Sequence, residues 1–290
     1  PSPYKSLSKS LLIPGAKILD KKVSVDSEIT LLENTVVPFR FAPGLSLNFK
    51  GKLPDQLGVF IDGSQFFALD HLSHESSYYT FLPESLPYLL FESPPQNVLH
   101  IGWAGEKRTY LARKFNIPNI FILEPSPNLV KMRQDFIPHS PLEKNVHMVG
   151  DNLRSYLRST PLYFGLISLD HTLISMNRGS SSLTNTHEEL LTQESLEVAY
   201  KKIAKNGGVF LSFWYEMPPR KVIKLWNILL QSGFSNHEIL SLETLQTHSL
   251  YAKKGGFSVR EVKRVQEFCI ARSFSCAFGN EILEKEPTNL

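Results

Sequence analysis

The sequence predicts an α/β protein in which a doubly wound parallel sheet follows a small β-rich domain. From Asn97 onward, short apolar runs alternate with segments of helical periodicity, the pattern of parallel strands joined by crossover helices. Before residue 93, short apolar runs are cut by turn-forming residues, and no long helical period occurs. The pair Pro94-Pro95 separates the two regions and sets the predicted domain boundary.

Residues 1–92 form the predicted N-terminal β-rich domain. The predicted strands are Glu28–Leu32, Leu45–Phe49 and Gly58–Ile61. One helix is predicted over Leu82–Phe91, although Pro87 interrupts its apolar period.

Residues 93–253 form the predicted nucleoside-binding domain, in which each of five strands is followed by a helix. The strands are Asn97–Ile101, Asn119–Leu123, Val146–Val149, Phe164–Leu169 and Val209–Phe213. The helices are Glu106–Phe115, Pro127–Asp135, Asn152–Arg158, Gln193–Lys205 and Arg220–Ser232. Two late strands, Glu238–Leu242 and Ser249–Ala252, are predicted to close the sheet as a hairpin. Residues 254–290 are predicted to be a C-terminal appendage with a helix over Ser258–Ala271 and a strand over Ser273–Ala277.

Composition excludes several classes of protein. Apolar residues make up 42% of the 290 residues, so the chain can bury a core and is not disordered. No apolar run approaches the roughly 20 residues that cross a bilayer. A net charge of +3 gives no reason to expect a nucleic-acid partner. With only two cysteines, Cys269 and Cys276, we expect neither a disulfide scaffold nor a metal site, and we expect a cytoplasmic location.

Candidate binding residues follow the first two strands of the central domain, because ligands of open α/β sheets bind beyond the carboxyl ends of the strands. Gly102 and Gly105 would let the backbone approach a ligand closely, although a tight strand-to-helix turn explains them equally well. Glu124 follows the second strand about 20 residues later, where a carboxylate can accept both ribose hydroxyls of a nucleoside. The alternative for Glu124 is charge complementarity with the next helix.

Polar residues also follow the third and fourth strands. Gly150-Asp151-Asn152 could contact an adenine amino group, whereas Asp151 could instead cap the next helix, or do both. Asp170 lies at the mouth of the expected crevice, where a carboxylate can orient or deprotonate a nucleophile; a structural role is the alternative. The sequence has neither a Gly-Lys-Ser/Thr phosphate loop nor a Gly-x-Ser-x-Gly elbow.

Several of these segments resemble motifs of one family. They are Ile61–Gln65, Val98–Gly105, Glu124, Gly150-Asp151, Leu169-Asp170 and Lys205–Val209. In this order they resemble the S-adenosylmethionine-dependent methyltransferase fold and, within it, the spermidine/spermine synthase family. The segments Ser2–Leu7, Phe41–Leu47, Leu86–Tyr88 and Lys253–Arg272 are similar to the bacterial branch in which such a domain is fused to, or lies beside, membrane segments. The resemblance therefore also allows tethering to the membrane through a region outside this sequence.

The resemblance implies a polyamine aminopropyltransferase that uses decarboxylated S-adenosylmethionine as co-substrate and releases methylthioadenosine. Its partner would be a small polyamine acceptor. Members of the family often form dimers through the N-terminal β-domain, so the resemblance also allows a homodimer. The implied catalytic residue is Asp170. The implied nucleoside-binding residues are Gly102, Gly105, Glu124, Gly150, Asp151 and Asn152, and the implied pocket residues are Gln65 and His74.

Two departures from the family pattern leave other functions open. The glycine loop carries Trp103 and Glu106, and Leu173 stands where the family has a second carboxylate. The first alternative is a catalytically degenerate nucleoside-binding or scaffold domain. The second is an S-adenosylmethionine-dependent methyltransferase, because fewer carboxylates would repel the carboxylate of the undecarboxylated donor less strongly.

Overall fold

The computed structural model describes residues 3–25, 27–70, 77–136, 145–170 and 191–280. Its N-terminal part is a short helix followed by a four-stranded antiparallel sheet, with the strands in chain order. The elements are α1 (Ser6–Leu11), β1 (Ala16–Val23), β2 (Glu28–Asn34), β3 (Gln56–Ile61) and β4 (Gln65–Asp70).

The strand predicted over Leu45–Phe49 is wrong. The backbone amides of Leu45 and Phe49 donate to the carbonyl oxygens three residues earlier, those of Ala42 and Ser46, at 3.1 Å each. Gly44 has a φ of +81°, so the chain turns here and does not extend into a sheet.

The larger sheet has eight described strands in the order β12-β10-β11-β9-β8-β5-β6-β7. Their bounds are β5 (Asn97–Ile101), β6 (Asn119–Leu123), β7 (Val146–Val149), β8 (Phe164–Asp170), β9 (Ile203–Trp214), β10 (Ile239–Glu243), β11 (Thr247–Lys253) and β12 (Ser275–Phe278). Strands β5 to β9 pair in parallel, and the last three strands join antiparallel. The predicted doubly wound α/β fold is confirmed.

The helices cover both faces of the larger sheet. They are α2 (Leu86–Leu90), α3 (Lys107–Lys114), α4 (Pro127–Phe136), α5 (Leu153–Ser159), α6 (Gln193–Lys202), α7 (Arg220–Gln231) and α8 (Val259–Arg272). Neighbouring residues of β5 point to opposite cores: Val98 packs in the core that contains Val265 of α8, and Leu99 in the core that contains Leu225 of α7. This burial on both faces explains why the central parallel strands β5 and β8 are rich in apolar residues.

Two predicted helix boundaries need correction. The helix predicted to end at Lys205 ends at Lys202, because Ile203 already pairs with Phe164 in the sheet. Asn206, expected in a turn before the fifth strand, lies inside β9 with a φ of +62°, beside a register shift in the pairing with β8. This geometry is that of a β-bulge.

The segment after Lys253, expected to be an appendage, packs on the larger sheet. Ser258 caps α8 with a side chain that accepts the amide of Glu261, as the serine predicted. Helix α8 packs against α2, and β12 pairs with β10. The division into domains stays a prediction. Within the described ranges, no helix is long and apolar enough to cross a membrane.

Candidate active site at the carboxyl edge of the larger sheet

The predicted nucleoside-binding residues lie along one edge of the larger sheet. The amide of Gly102 donates to the carbonyl of Leu123 at 2.8 Å, and the amide of Glu124 donates to the carbonyl of Val149 at 2.9 Å. Gly102, Glu124 and Gly150 therefore follow one another across the carboxyl ends of β5, β6 and β7. The strand order reverses between β5 and β8, so this edge is also where an open α/β sheet forms its ligand crevice.

The glycine loop packs tightly on the N-terminal sheet. Gly102 and Gly105 have φ values of +73° and +78°, which favour glycine at both positions. A Cβ atom at Gly105 would lie 2.9 Å from the carbonyl oxygen of Ala68 in β4. The structure thus gives Gly105 a packing role, while its contact with a ligand stays a prediction.

Trp103 and Glu106, the unusual residues of this loop, are bound to each other. The indole Nε1 of Trp103 donates to Glu106 Oε1 at 2.8 Å. Arg133 of α4 donates to the same carboxylate from Nε at 2.9 Å and from a terminal nitrogen at 3.3 Å. All three side chains are buried, so Glu106 is neutralised inside the protein. The Trp103 ring also packs edge-on against Phe67 of the N-terminal sheet.

Glu124 is buried and fixes the loop with its carboxylate. Oε2 accepts the amide of Trp103, and Oε1 accepts the amide of Ser126, both at 2.8 Å. Burial raises the pKa of Glu124 from its ordinary value of 4.5 to about 7, although both amides and the nearby Arg108 favour the charged form. The carboxylate is where a ribose contact was predicted, but each of its oxygens already accepts one backbone amide. The ribose role stays a prediction.

Arg108 ties together the two strands at the switch point. One terminal nitrogen of its buried guanidinium donates to the carbonyls of Ile101 at 3.1 Å and Ser168 at 3.2 Å. The other donates to the carbonyl of Gly102. The guanidinium therefore satisfies backbone acceptors near the carboxyl ends of β5 and β8 and links these two strands.

Asp170, the predicted catalytic residue, is the last residue of β8 and forms a buried ion pair. Lys107, the first residue of α3, contacts Asp170 Oδ2 with its Nζ atom. The same Nζ donates to Glu84 Oε1 at 2.6 Å. Only 13% of the Lys107 side chain is exposed, against 5% for Glu84 and 1% for Asp170. We call these three residues the carboxylate–lysine cluster.

The carboxylate–lysine cluster keeps Lys107 charged. Burial alone would lower the pKa of the Lys107 amine, but the carboxylates of Asp170 and Glu84 outweigh it, and the pKa is raised. Two carboxylates and one ammonium give these three residues a formal charge of −1, and the buried guanidinium of Arg108, which interacts electrostatically with both carboxylates, balances it. The two carboxylates bind an ammonium group, and the ammonium in this structure belongs to the protein.

The predicted adenine-side residues follow β7. Gly150 is exposed, and a Cβ atom there would meet no atom within 4 Å. The predicted cap at Asp151 is wrong: Asn152 caps α5 by accepting the amide of Ser155 at 2.9 Å, and the helix begins at Leu153. Asp151 Oδ1 accepts the amide of Asn152 at 2.7 Å, and its side chain is partly exposed. An adenine contact by Asp151 or Asn152 stays a prediction.

The two predicted pocket residues of the N-terminal domain are less informative. Gln65 is the first residue of β4 and lies about 10 Å along the strand from Ala68, the residue of β4 that packs on the glycine loop. Its role in a substrate pocket stays a prediction. His74 lies outside the described residues, as does Leu173. A cavity of about 30 Å³ lies between residues of the N-terminal part and residues of the glycine loop. Its lining includes Phe67, Tyr78, Tyr79, Ala104 and Lys107. This volume holds about one water molecule.

Sequence reasoning missed four charged residues of this edge: Glu84, Lys107, Arg108 and Arg133. The triplet Glu106-Lys107-Arg108, directly after the glycine loop, was the available signal, because three successive residues at the start of a helix point about 100° apart and cannot all face solvent. Glu84 gave no signal in its proline-rich segment. In the part of the chain that the structure describes, no group of three or more metal-binding side chains could hold a metal ion.

Comparisons with known proteins found similarity in structure alone. No model of a protein family matches the chain, and no curated protein matches it in sequence. A probable spermidine synthase from Corynebacterium glutamicum superposes with a TM-score of 0.62 and 13% identity, over 94% of each chain. Spermidine synthase from Thermotoga maritima gives 0.57 with 14% identity, over 87% of this chain and 78% of that one. A spermidine synthase in complex with the transition-state analogue AdoDATO gives 0.58 with 13% identity and the same coverage.

These superpositions extend over most of this chain. At such low identity they define the fold and leave the activity open. The chain therefore has the α/β fold of these spermidine synthases.

Proposed function

We propose that this chain is a polyamine aminopropyltransferase that uses decarboxylated S-adenosylmethionine. The observation that carries the proposal is the pair of buried carboxylates, Asp170 and Glu84, around one ammonium group at the switch point of the sheet. A polyamine acceptor is a chain of ammonium groups, and a buried ammonium needs anionic partners. Glu84 supplies the second carboxylate that the sequence lacks at Leu173.

The donor would bind along the same edge. Glu124 would accept hydrogen bonds from the ribose hydroxyls, and Asp151 and Asn152 would contact the adenine. The open space beside Gly150 supports this placement, because a planar base could lie against the backbone there. The fold shared with a spermidine synthase that was solved with AdoDATO also supports it.

The proposed reaction is a displacement at carbon. The acceptor nitrogen forms a bond to the aminopropyl carbon, and the carbon–sulfur bond breaks. Its electron pair goes to sulfur, so that the sulfonium becomes the neutral thioether of methylthioadenosine. The proton of the attacking amine passes to the carboxylate of Asp170. Because the sulfonium is already activated, holding the two reactants in line supplies much of the acceleration.

The charge of the carboxylate–lysine cluster favours this donor over ordinary S-adenosylmethionine. The undecarboxylated donor carries an additional carboxylate, which the buried carboxylates of Asp170 and Glu84 would repel, although the guanidinium of Arg108 reduces this repulsion. A methyltransferase reaction is therefore the less favoured use of the same edge.

The second candidate function is a nucleoside-binding domain without transferase activity. The position of Lys107 favours this function, because its ammonium already pairs with the carboxylate of Asp170, which would otherwise accept the proton of the attacking amine. Such a domain would bind methylthioadenosine or a related nucleoside and release no product.

A product assay by mass spectrometry separates these functions. The protein is incubated with decarboxylated or ordinary S-adenosylmethionine and a mixture of putrescine, spermidine and cadaverine. The proposal expects methylthioadenosine together with a lengthened polyamine, loss of both with Asp170→Asn, and no change with Asp55→Asn, which replaces an exposed aspartate. Nucleoside binding without any product would favour the second candidate and contradict the first.

A further inference from the structure

We infer that Lys107 is a built-in occupant of an ammonium-binding site formed by Glu84 and Asp170, and that it decides whether an external alkylammonium can bind there. The inference deepens the proposed function, on which it rests for the class of ligand. Three separate elements build the site: the 3₁₀ helix Pro83–Ser85, the first residue of α3 and the last residue of β8.

The first argument is the electrostatic need for a cation. Glu84 and Asp170 are both buried and both contact one Nζ atom, so without Lys107 two carboxylates would face each other in a medium of low dielectric constant. An ammonium between them relieves that repulsion, whether it belongs to the protein or to a ligand.

The second argument is an acceptor that Lys107 leaves unused. Glu84 Oε1 accepts from Lys107, whereas the buried Oε2 atom has no hydrogen-bond partner among the described residues. Buried carboxylate oxygens without a donor are uncommon and costly. A primary ammonium has three N–H donors, so a ligand group placed slightly differently from Lys107 Nζ could satisfy this oxygen as well.

The third argument is the chemical identity of the occupant. The side chain of Lys107 is an unbranched alkyl chain that ends in a primary ammonium, which is the terminal group of a diamine such as putrescine. The cavity that Lys107 helps to line measures only about 30 Å³, which is too small for a diamine. Glu84 and Asp170 both already contact the Nζ atom of Lys107, so an external amine that pairs with both carboxylates must displace Lys107, and the wild-type chain should bind such amines weakly.

Chemical rescue tests this inference without measuring activity. Lys107→Ala removes a segment with the size and charge of n-propylammonium. We expect Lys107→Ala to melt below the wild type, and millimolar n-propylamine or putrescine to raise its melting temperature by several degrees. Neutral n-propanol should raise it far less. The matched control is Lys114→Ala on the exposed face of the same helix, which amines should not stabilise.

A second variant covers the case in which Lys107→Ala does not fold. Lys107→Ala/Asp170→Asn removes one carboxylate with the lysine, so it should fold more stably than Lys107→Ala and respond less to amines. Equal responses of Lys107→Ala and Lys114→Ala to the amines, or failure of both Lys107 variants to fold with amine present, would overturn the inference. Rescue without aminopropyl transfer by the wild type would contradict the proposed function alone, whereas transfer without rescue would contradict this inference alone.

Discussion

A Cβ atom added to Gly105 would lie 2.9 Å from the carbonyl oxygen of Ala68, so the glycine loop and the N-terminal sheet touch through backbone atoms. This contact places β4 beside the start of α3, where Lys107 reaches Glu84 and Asp170. The N-terminal sheet is therefore one wall of the candidate site.

Replacing Gly105 should disturb this contact. Gly105→Ala places a side chain at a φ of +78° and against backbone that cannot move aside, so we expect a loss of at least about 1–2 kcal/mol of unfolding free energy. The control is Gly150→Ala, where the added Cβ would meet nothing within 4 Å. Urea unfolding of the two variants measures the difference, and equal losses would contradict the described packing.

The pH dependence of stability should report Glu124. Its pKa is about 7 in the folded protein and 4.5 ordinarily, so between these values the folded state holds the extra proton. Stability should therefore fall as the pH rises from about 4.5 to about 7, by up to about 3 kcal/mol from this residue. Urea unfolding across this range should show the fall in the wild type. The fall should be smaller in Glu124→Gln, and identical curves would contradict the raised pKa.

Breaking the buried pair of Glu106 and Arg133 should destabilise the loop. Arg133→Met leaves the Glu106 carboxylate buried with only the indole of Trp103 as partner, and such a loss costs about 3–5 kcal/mol. Arg158→Met, at an exposed position of α5, should cost little. Thermal unfolding checks this, and equal melting temperatures of Arg133→Met and Arg158→Met would contradict the buried pair.

Replacing Asn152 should lower the stability of the protein, whereas replacing Asp151 should lower its affinity for a nucleoside. Asn152→Ala removes the cap of α5 and should cost about 1 kcal/mol. Asp151→Ala leaves that cap in place, so its effect should appear in nucleoside affinity if it contacts the adenine. Measuring melting temperature and nucleoside binding for both variants tests this division. A lower melting temperature of Asp151→Ala, together with an unchanged melting temperature of Asn152→Ala, would assign the cap of α5 to Asp151 and contradict the structure.

The sequence predicted the parallel strands of the larger sheet well because each contains a short, largely apolar run flanked by turn-forming residues. Strands β5, β6 and β7 have the bounds that the pattern predicted. Boundaries failed where tertiary contacts override local preference: pairing of Ile203 with Phe164 ends α6 early, and the left-handed Asn206 continues as a bulge within β9.

The candidate site was predictable only in part. Residues that end strands, such as Glu124 and Asp170, could be found from the order of elements. The cluster that surrounds Asp170 could not, because Glu84, Lys107 and Asp170 are far apart in the chain and meet only after the two sheets pack together. The sequence carried no prediction for Lys107, whose ammonium the structure buries between two carboxylates.

Titration of the protein with methylthioadenosine in a calorimeter tests the central claim, that the carboxyl edge of the larger sheet binds the nucleoside. Methylthioadenosine lacks the aminopropyl group, so the carboxylate–lysine cluster does not interfere. We expect one site per chain, at least about tenfold weaker in Glu124→Gln, which loses charge-assisted hydrogen bonds to the ribose, and unchanged in Glu267→Gln on exposed α8 surface. No binding by the folded wild type, or equal affinity in the two variants, would contradict the claim.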